Sequence, residues 1–256
     1  MNTLASSAIL AILTISTCAL TLTPTSVRAQ VMTTSTAEYE PHLDAGSFTS
    51  AVTNPYFPLV PGTRFRFRGT GTSSNEVTVT EVTAQSRMIM GIRATVVHDQ
   101  VFDRGELIED TYDWYAQDSA GTVWYLGEQT RSLRHGRAVS TAGSWEYGAN
   151  GAKPGVVMWA DPATHLGEAY RQEYRAGVAE DMGKVLAVQV SVTVPYGTFA
   201  DCVETEDTTP LEPKVLEHKY YCRGVGLVRE AETAGAGGAL VAVERVPRSS
   251  VRSRQK

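Results

Sequence analysis

Cysteine, surplus positive charge and long apolar runs are all scarce in this chain, and each scarcity excludes something. Three cysteines in 256 residues, set far apart, do not make the ligand set of a structural metal site. The formal net charge is −5 with both signs interspersed, which argues against nucleic acid as a partner, since such surfaces are basic. Basic residues concentrate only at Arg248, Arg252, Arg254 and Lys256, the pattern of a solvated, frayed tail. Past the N-terminal leader, no stretch reaches the about 20 apolar residues of a spanning helix. A phosphate loop, a dinucleotide fingerprint, a His-Glu-x-x-His motif, a Gly-x-Ser-x-Gly elbow and Asn-x-Ser/Thr sites are also missing. No cofactor and no catalytic class is therefore implied by motif.

What is present begins with a leader. Ile9–Leu20 is apolar and uncharged, too short to span a bilayer, and Val27-Arg28-Ala29 follows as a small-x-small cleavage site. Residues 1–29 read as a secretory signal with Gln30 as the mature N-terminus, although Met1–Ser7 carries no Lys or Arg. Cys18 offers a second route, a lipid anchor, with Thr17 a poor fit before it. The expected location is secreted or periplasmic. Removal of the leader leaves Cys202 and Cys222, an even pair that suggests a disulfide in an oxidising compartment. Residues 30–50 form a polar lead-in, 51–247 one domain and 248–256 the basic tail. A hydrophobic fraction of 42% is enough for a core.

Within the domain the apolar period is two. Phe65 and Phe67 alternate with Arg64, Arg66 and Arg68, and Val77 and Val79 with Thr78 and Thr80. Ile92, Ala94 and Val96 share one face, as do Ile108, Tyr112, Trp114 and Ala116. Further strands are predicted near 123–126, 185–195, 197–206, 214–222, 225–231 and 239–246. The expected fold is all-β and mainly antiparallel: a barrel, half-barrel or sandwich of about 9–11 strands. Leu166, Tyr170, Tyr174, Val178, Met182 and Leu186 recur every fourth residue, so one short helix near 166–186 competes with a strand, a turn near Gly177 and a strand. Residues 131–162 read as a turn-rich segment whose Trp145, Tyr147 and Trp159 cap the core or cover a cavity.

Three segments carry a resemblance. Asn-Pro-Tyr-Phe-Pro-Leu-x-Pro-Gly (54–62), Glu-Asp-Thr-Tyr-Asp-Trp-Tyr-Ala-Gln-Asp (109–118), and His-Lys-Tyr-Tyr (218–221) with Gly-Val-Gly-Leu-Val (224–228) resemble a group of uncharacterised exported bacterial β proteins. The last segment is also similar to the final strands of half-barrel lipoprotein-like carriers. The resemblance implies a bacterial, extracytoplasmic β protein and brings no activity or site residue with it.

Hairpin geometry supplies candidate sites. Asp103-Arg104-Gly105 as a three-residue loop places Val96 opposite Tyr112, Ala94 opposite Trp114 and His98 opposite Asp110. A turn at Pro210-Leu211-Glu212-Pro213 places Cys202 opposite Cys222, Glu204 opposite Tyr220 and Glu206 opposite His218. A carboxylate beside an imidazole fixes its tautomer and raises its basicity, as a general base needs. His98 with Asp110 and His218 with Glu206 are thus the candidate catalytic residues, and if they converged they would run acid–base chemistry or hold a metal. The ordinary alternative is a satisfied cross-strand polar pair. Tyr112, Trp114, Trp124 and Tyr220 are candidate ligand-binding residues. Glu109, Asp113 and Glu128 are assigned to solvated faces.

The leading functional expectation is a carrier for a small apolar or amphipathic molecule in a barrel or half-barrel cavity. An extracytoplasmic hydrolase or isomerase and a structural or surface-interaction protein are the alternatives. Exposed aromatics on 131–162 would favour the last of these.

Overall fold

The computed structural model describes residues 39–246. The expected export signal, Cys18 and the basic tail lie outside the described residues. Fifteen strands occur in chain order: β1 (Thr63–Gly71), β2 (Glu76–Ile89), β3 (Ile92–Asp103), β4 (Glu106–Gln117), β5 (Val123–Arg134), β6 (Arg137–Ser140), β7 (Trp145–Glu146), β8 (Lys153–Met158), β9 (Ala169–Arg171), β10 (Glu173–Tyr174), β11 (Met182–Val194), β12 (Gly197–Thr208), β13 (Leu216–Cys222), β14 (Gly226–Glu232) and β15 (Ala236–Arg245). The long hairpin strands lie where alternation predicts them. The count exceeds the expected 9–11 because 131–174 holds short strands, some only two or three residues long. Such pieces are too short to show a period of two. No α-helix forms at 166–186: a 3-10 turn at Pro162–His165 precedes β9 and β10, and the chain returns as β11.

All fifteen strands belong to one antiparallel sheet, ordered β10-β8-β5-β4-β3-β2-β1-β15-β14-β13-β12-β11-β9, with β6 and β7 pairing with β5. The sheet does not close into a barrel. Its two end strands, β9 and β10, are nevertheless consecutive along the chain and separated only by Gln172. The sheet therefore curls until its edges meet at one corner without forming a hydrogen-bonded ring.

The concave face holds the main core, including Phe65, Phe67, Val97, Tyr115, Tyr125, Val185, Val203, Tyr221, Val228 and Leu240. A second cluster, Ile89, Ile92, Ala94, Val96, Trp114, Ala116 and Leu126, lies on the convex face, where Leu43, Ala45 and Phe48 pack against it. The described part of the polar lead-in is thus a packed cover rather than a loose entry.

Two register details follow from local chemistry. Between β3 and β4 the loop has two residues, Arg104 (φ 49°) and Gly105 (φ 85°), flanked by the pair Asp103 and Glu106. A bulge at Ile108 then shifts the ladder, so Val96 faces Trp114, His98 faces Tyr112 and Gln100 faces Asp110. The predicted three-residue loop is corrected by two positions, and because the side-chain period is two, each residue keeps its face. The β12–β13 register is as expected, with Cys202 opposite Cys222, Glu204 opposite Tyr220 and Glu206 opposite His218. Cys202 and Cys222 form a disulfide.

A strap crosses the open end of the concavity. Asn54 is buried; its Nδ2 donates to the carbonyls of Gly121 (2.9 Å) and Trp159 (3.0 Å), and its Oδ1 accepts from the Tyr56 amide (2.9 Å). Gln117 Oε1 accepts the Thr53 and Asn54 amides, both at 2.7 Å. Across the opening, the Tyr56 hydroxyl donates to Asp201 (2.9 Å) and accepts from Arg223 (2.7 Å), and the Gly224 amide donates to the Pro55 carbonyl (2.7 Å). Prolines at 55 and 58 fit a looped course: the Phe57 amide donates to the Asn54 carbonyl (3.1 Å) across a turn at Pro55–Tyr56, and the Leu59 amide donates to the Val52 carbonyl (3.1 Å). Phe57, between the two prolines, packs on Tyr115 (5.1 Å) and Tyr221 (6.0 Å), rings from opposite sides of the curl.

Asn54→Ala leaves buried polar groups unpaired at one anchor, and we expect it to cost about 2 kcal/mol. In thermal melts that is a fall of about 4–8 °C for a domain of this size. Tyr56→Phe, which loses only partly exposed partners, should cost less than about 1 kcal/mol. Equal effects from the two variants would contradict this account of the anchor.

Candidate functional site

The strands carry two chemistries on their concave face. At the strap end that face is apolar: Val97, Tyr115, Tyr221, Val228 and Phe67. Farther along the same strands it turns acidic: Asp99 on β3, Asp113 and Glu109 on β4, Glu128 on β5, Asp207 on β12, Glu217 on β13 and Glu230 on β14. Glu109, Asp113 and Glu128 are each only 2–3% exposed, so their assignment to solvated faces is corrected. The face opposite the apolar one on β4 is not the outside of the protein but the inside of the curl.

A bulge explains part of this. Asp113 pairs with Glu128 while Tyr115 pairs with Tyr125, so β5 gains one residue between them. Gly127 sits there at φ 135°, where a Cβ would meet the Trp145 carbonyl oxygen at 2.4 Å. Tyr125 and Glu128 consequently face inward together, although simple alternation puts them on opposite sides.

The acids share protons. Tyr125 Oη lies 2.6 Å from Asp113 Oδ1 and 3.1 Å from Glu128 Oε2. One phenolic proton cannot serve two carboxylates, so a protonated carboxyl completes the pair of contacts. Asp99 accepts from the Thr80 hydroxyl and is hydrogen-bonded to Asp113, which again requires a shared proton. Trp145 Nε1 donates to Glu173 Oε2 at 2.6 Å. Burial pushes Asp113, Glu128, Glu173 and Glu230 well above the ordinary carboxylate range, and the neighbouring acids Asp99, Glu173, Asp181 and Glu217, respectively, push each further. Burial likewise takes Asp181 up to about 6 and Glu76 to about 7.

One cation answers them among the described residues of this face. Lys219, 4% exposed, places Nζ 2.9 Å from Asp207 Oδ2 and 3.2 Å from Glu217 Oε2. Burial disfavours its charge, but Asp207 and Glu217 outweigh that and hold the ammonium well above its usual pKa. No group of three or more His, Cys, Asp or Glu among the described residues is arranged to hold a metal ion.

Where apolar meets acidic, under the strap, lies a cavity of about 100 Å³. Phe57, Pro58 and Leu59 roof it; Phe65, Phe67, Tyr115, Tyr221 and Leu227 form much of its wall; Thr78, Thr80, Asp99 and Glu230 supply its polar part. These residues come from β1, β2, β3, β4, β13, β14 and the strap, so only the curl assembles them.

The residues singled out from the sequence lie elsewhere. His98 and Asp110 do meet, Nε2 to Oδ1 at 2.6 Å, diagonally rather than directly across the ladder. His98 stacks on Tyr112 at 4.2 Å, and Arg131 also pairs with Asp110. Although burial raises Asp110, its hydrogen bonds to His98 and Arg131 bring it below the usual range. His218 faces Glu206 but hydrogen-bonds Glu204 (2.8 Å), which also accepts from the Tyr220 hydroxyl (3.0 Å); Glu206 lies 3.8 Å from Lys184. Both imidazoles are on the convex face, with four strands between β3 and β13. That separation is about 24 Å along the sheet, so the two pairs do not converge. Trp114 is buried in the convex cluster with Arg87 over its ring at 4.2 Å. Trp124 donates to Asp118 (2.9 Å) and borders a separate cleft with Trp159, His165 and Arg171. Neither Tyr112, Trp114, Trp124 nor Tyr220 borders the strap cavity.

Sequence reasoning did not select Asp99, Glu230 or Lys219 and set Asp113 on a solvated face. A signal was present: β4 carries aromatics on both faces, Trp114 and Tyr115, which marks a strand covered on both sides.

The buried acids set a direction for stability. A carboxyl whose pKa is raised in the folded chain binds protons preferentially there, so its favourable contribution is full at low pH and is lost as pH rises. For Glu76 the loss runs from 4.5 to about 7. Thermal melts should therefore show the midpoint falling between about pH 5 and pH 8, and Glu128→Gln should raise the pH 8 midpoint by about 3 °C or more. A midpoint rising over that range would mean that these acids are ionised and paired.

No family model matches the chain, and no curated protein matches it. Two solved structures are similar in fold. One is a candidate exported protein with a YmcC-like fold from Bacteroides fragilis, at 14% identity and TM-score 0.43, the match covering 74% of this chain and 98% of that one. The other is a candidate lipoprotein from Parabacteroides distasonis, at 13% identity and TM-score 0.40, covering 75% and 99%.

Proposed function

We propose that this is an exported binding or carrier protein for a small apolar or amphipathic molecule, held under the 54–59 strap. The observation that carries the reading is the cavity itself: an apolar hollow with a few polar groups on one side, inside a sheet that stops short of closure. Ligand sites typically combine these features. Its volume of about 100 Å³ is below the roughly 150 Å³ of an apolar cavity that admits benzene, so its size suits a slender hydrocarbon segment. The disulfide supports an extracytoplasmic location, and no helix among the described residues is long and apolar enough to cross a membrane.

An enzyme remains the second reading, favoured by the short His98–Asp110 contact next to an open groove lined by Arg64, Arg66 and Gln100. It rests on that pair alone, because His218 is remote and held by Glu204. The surface-interaction alternative loses its motive: Trp145 is buried, and Trp159 stacks on His165.

Isothermal titration calorimetry with 1-hexanol, a neutral molecule with a slender hydrocarbon chain, tests the carrier reading. We expect saturable heats of binding in the native protein and a loss of affinity of about tenfold or more in Leu227→Trp, which fills the cavity. His98→Ala should leave the titration unchanged. Heats that fail to saturate, or binding that survives Leu227→Trp, would remove the cavity as the binding site.

A further inference from the structure

Glu230 is the group in the cavity that the protein leaves unanswered. It is 7% exposed and borders the cavity, and its carboxyl makes no hydrogen bond or ion pair among the described residues. The groups whose charge reaches it are Asp99 from β3, Asp207 from β12, and Glu217 and Lys219 from β13. Lys219 is already engaged by Asp207 and Glu217. Asp99 borders the same cavity, with Thr80 and Asp113 on its carboxyl. Two carboxyl groups thus meet one hollow with no cation of the protein's own between them. The rest of the wall is aromatic and aliphatic, and the ring faces of Phe65, Phe67, Tyr115 and Tyr221 are surfaces that favour an organic cation over an anion.

We infer that the ligand is an amphipathic cation: a protonated amine on an apolar body, its ammonium between Asp99 and Glu230 and its apolar part under Phe57 and Leu59. This rests on the carrier reading and names its ligand class. A fatty acid would add a further acid to a face where acids already push one another's pKa up, and a neutral alcohol would bring Glu230 no counter-charge. An ammonium supplies both the charge and the donors that Glu230 lacks. Burial and Glu217 raise the Glu230 pKa and an ammonium beside the carboxyl lowers it, so binding favours release of a proton to solvent.

Isothermal titration calorimetry of the full chain with decylammonium, 1-decanol and decanoate at pH 7.5 tests this. Decylammonium should bind about tenfold or more tighter than decanol, with decanoate weakest. Repeating the titration in buffers of different ionisation enthalpy should show net proton release for decylammonium. In Glu230→Gln the ratio of decylammonium to decanol affinity should fall about tenfold. Equal affinities, a preference for decanoate, or no proton release would overturn the inference while leaving the carrier reading intact. Failure of all three ligands and of 1-hexanol would overturn both.

Discussion

Everything in this protein depends on how a single antiparallel sheet covers its own concave face. The sheet curls far enough for β9 and β10, its two ends, to be joined through Gln172, yet it forms no closed ladder. A closed barrel would bury its interior on every side. Here one end must be covered by other chain, and the strap at 54–59 does so, anchored by Asn54 on one side and Tyr56 on the other. Its course across the opening is set by a turn at Pro55–Tyr56 and by hydrogen bonds of its own, from the Phe57 amide to the Asn54 carbonyl and from the Leu59 amide to the Val52 carbonyl. Cover and core are therefore coupled: Phe57 is the roof of the cavity and also the contact between Tyr115 and Tyr221.

The concave face departs from the usual economy of a core. Buried carboxyls are costly when ionised and costly when unpaired. This face answers that cost in two ways. Shared protons link Asp99, Asp113, Tyr125 and Glu128, and Lys219 holds Asp207 and Glu217. Glu230 has neither remedy, and it lies where the apolar wall begins. Local rules are most often broken at functional sites, where stability is given up for a task. The conjunction of an unpartnered carboxyl with a cavity is what turns a structural oddity into a functional reading.

The convex face shows how an accurate contact can arise from an inaccurate register. His98 and Asp110 meet because a two-residue loop and a bulge together shift the ladder by two, and a shift of two preserves the face. The imidazole reaches its carboxylate on the diagonal. In the other hairpin the register is as expected, but the hydrogen bond goes to Glu204 instead of Glu206. Pairing register states which backbones are opposite; side-chain length and rotamer decide which heads meet.

By itself, the sequence determined the fold class, the long hairpins and the Cys202–Cys222 bond, because alternation and turn residues act over a few neighbours. Phe65 and Phe67 against three arginines define a face without reference to the rest of the chain. Only the tertiary structure decided which faces are inside. Glu109 and Asp113 read as solvated because alternation assigns two faces and assumes that one is wet, whereas in a curled sheet with a packed cover on β4 both are dry. The bulge at Gly127, which turns Tyr125 and Glu128 to the same side, is equally invisible to a period of two. The cavity gathers residues from six strands and the strap, so its existence rests on curvature, a property of the whole sheet that no local pattern contains.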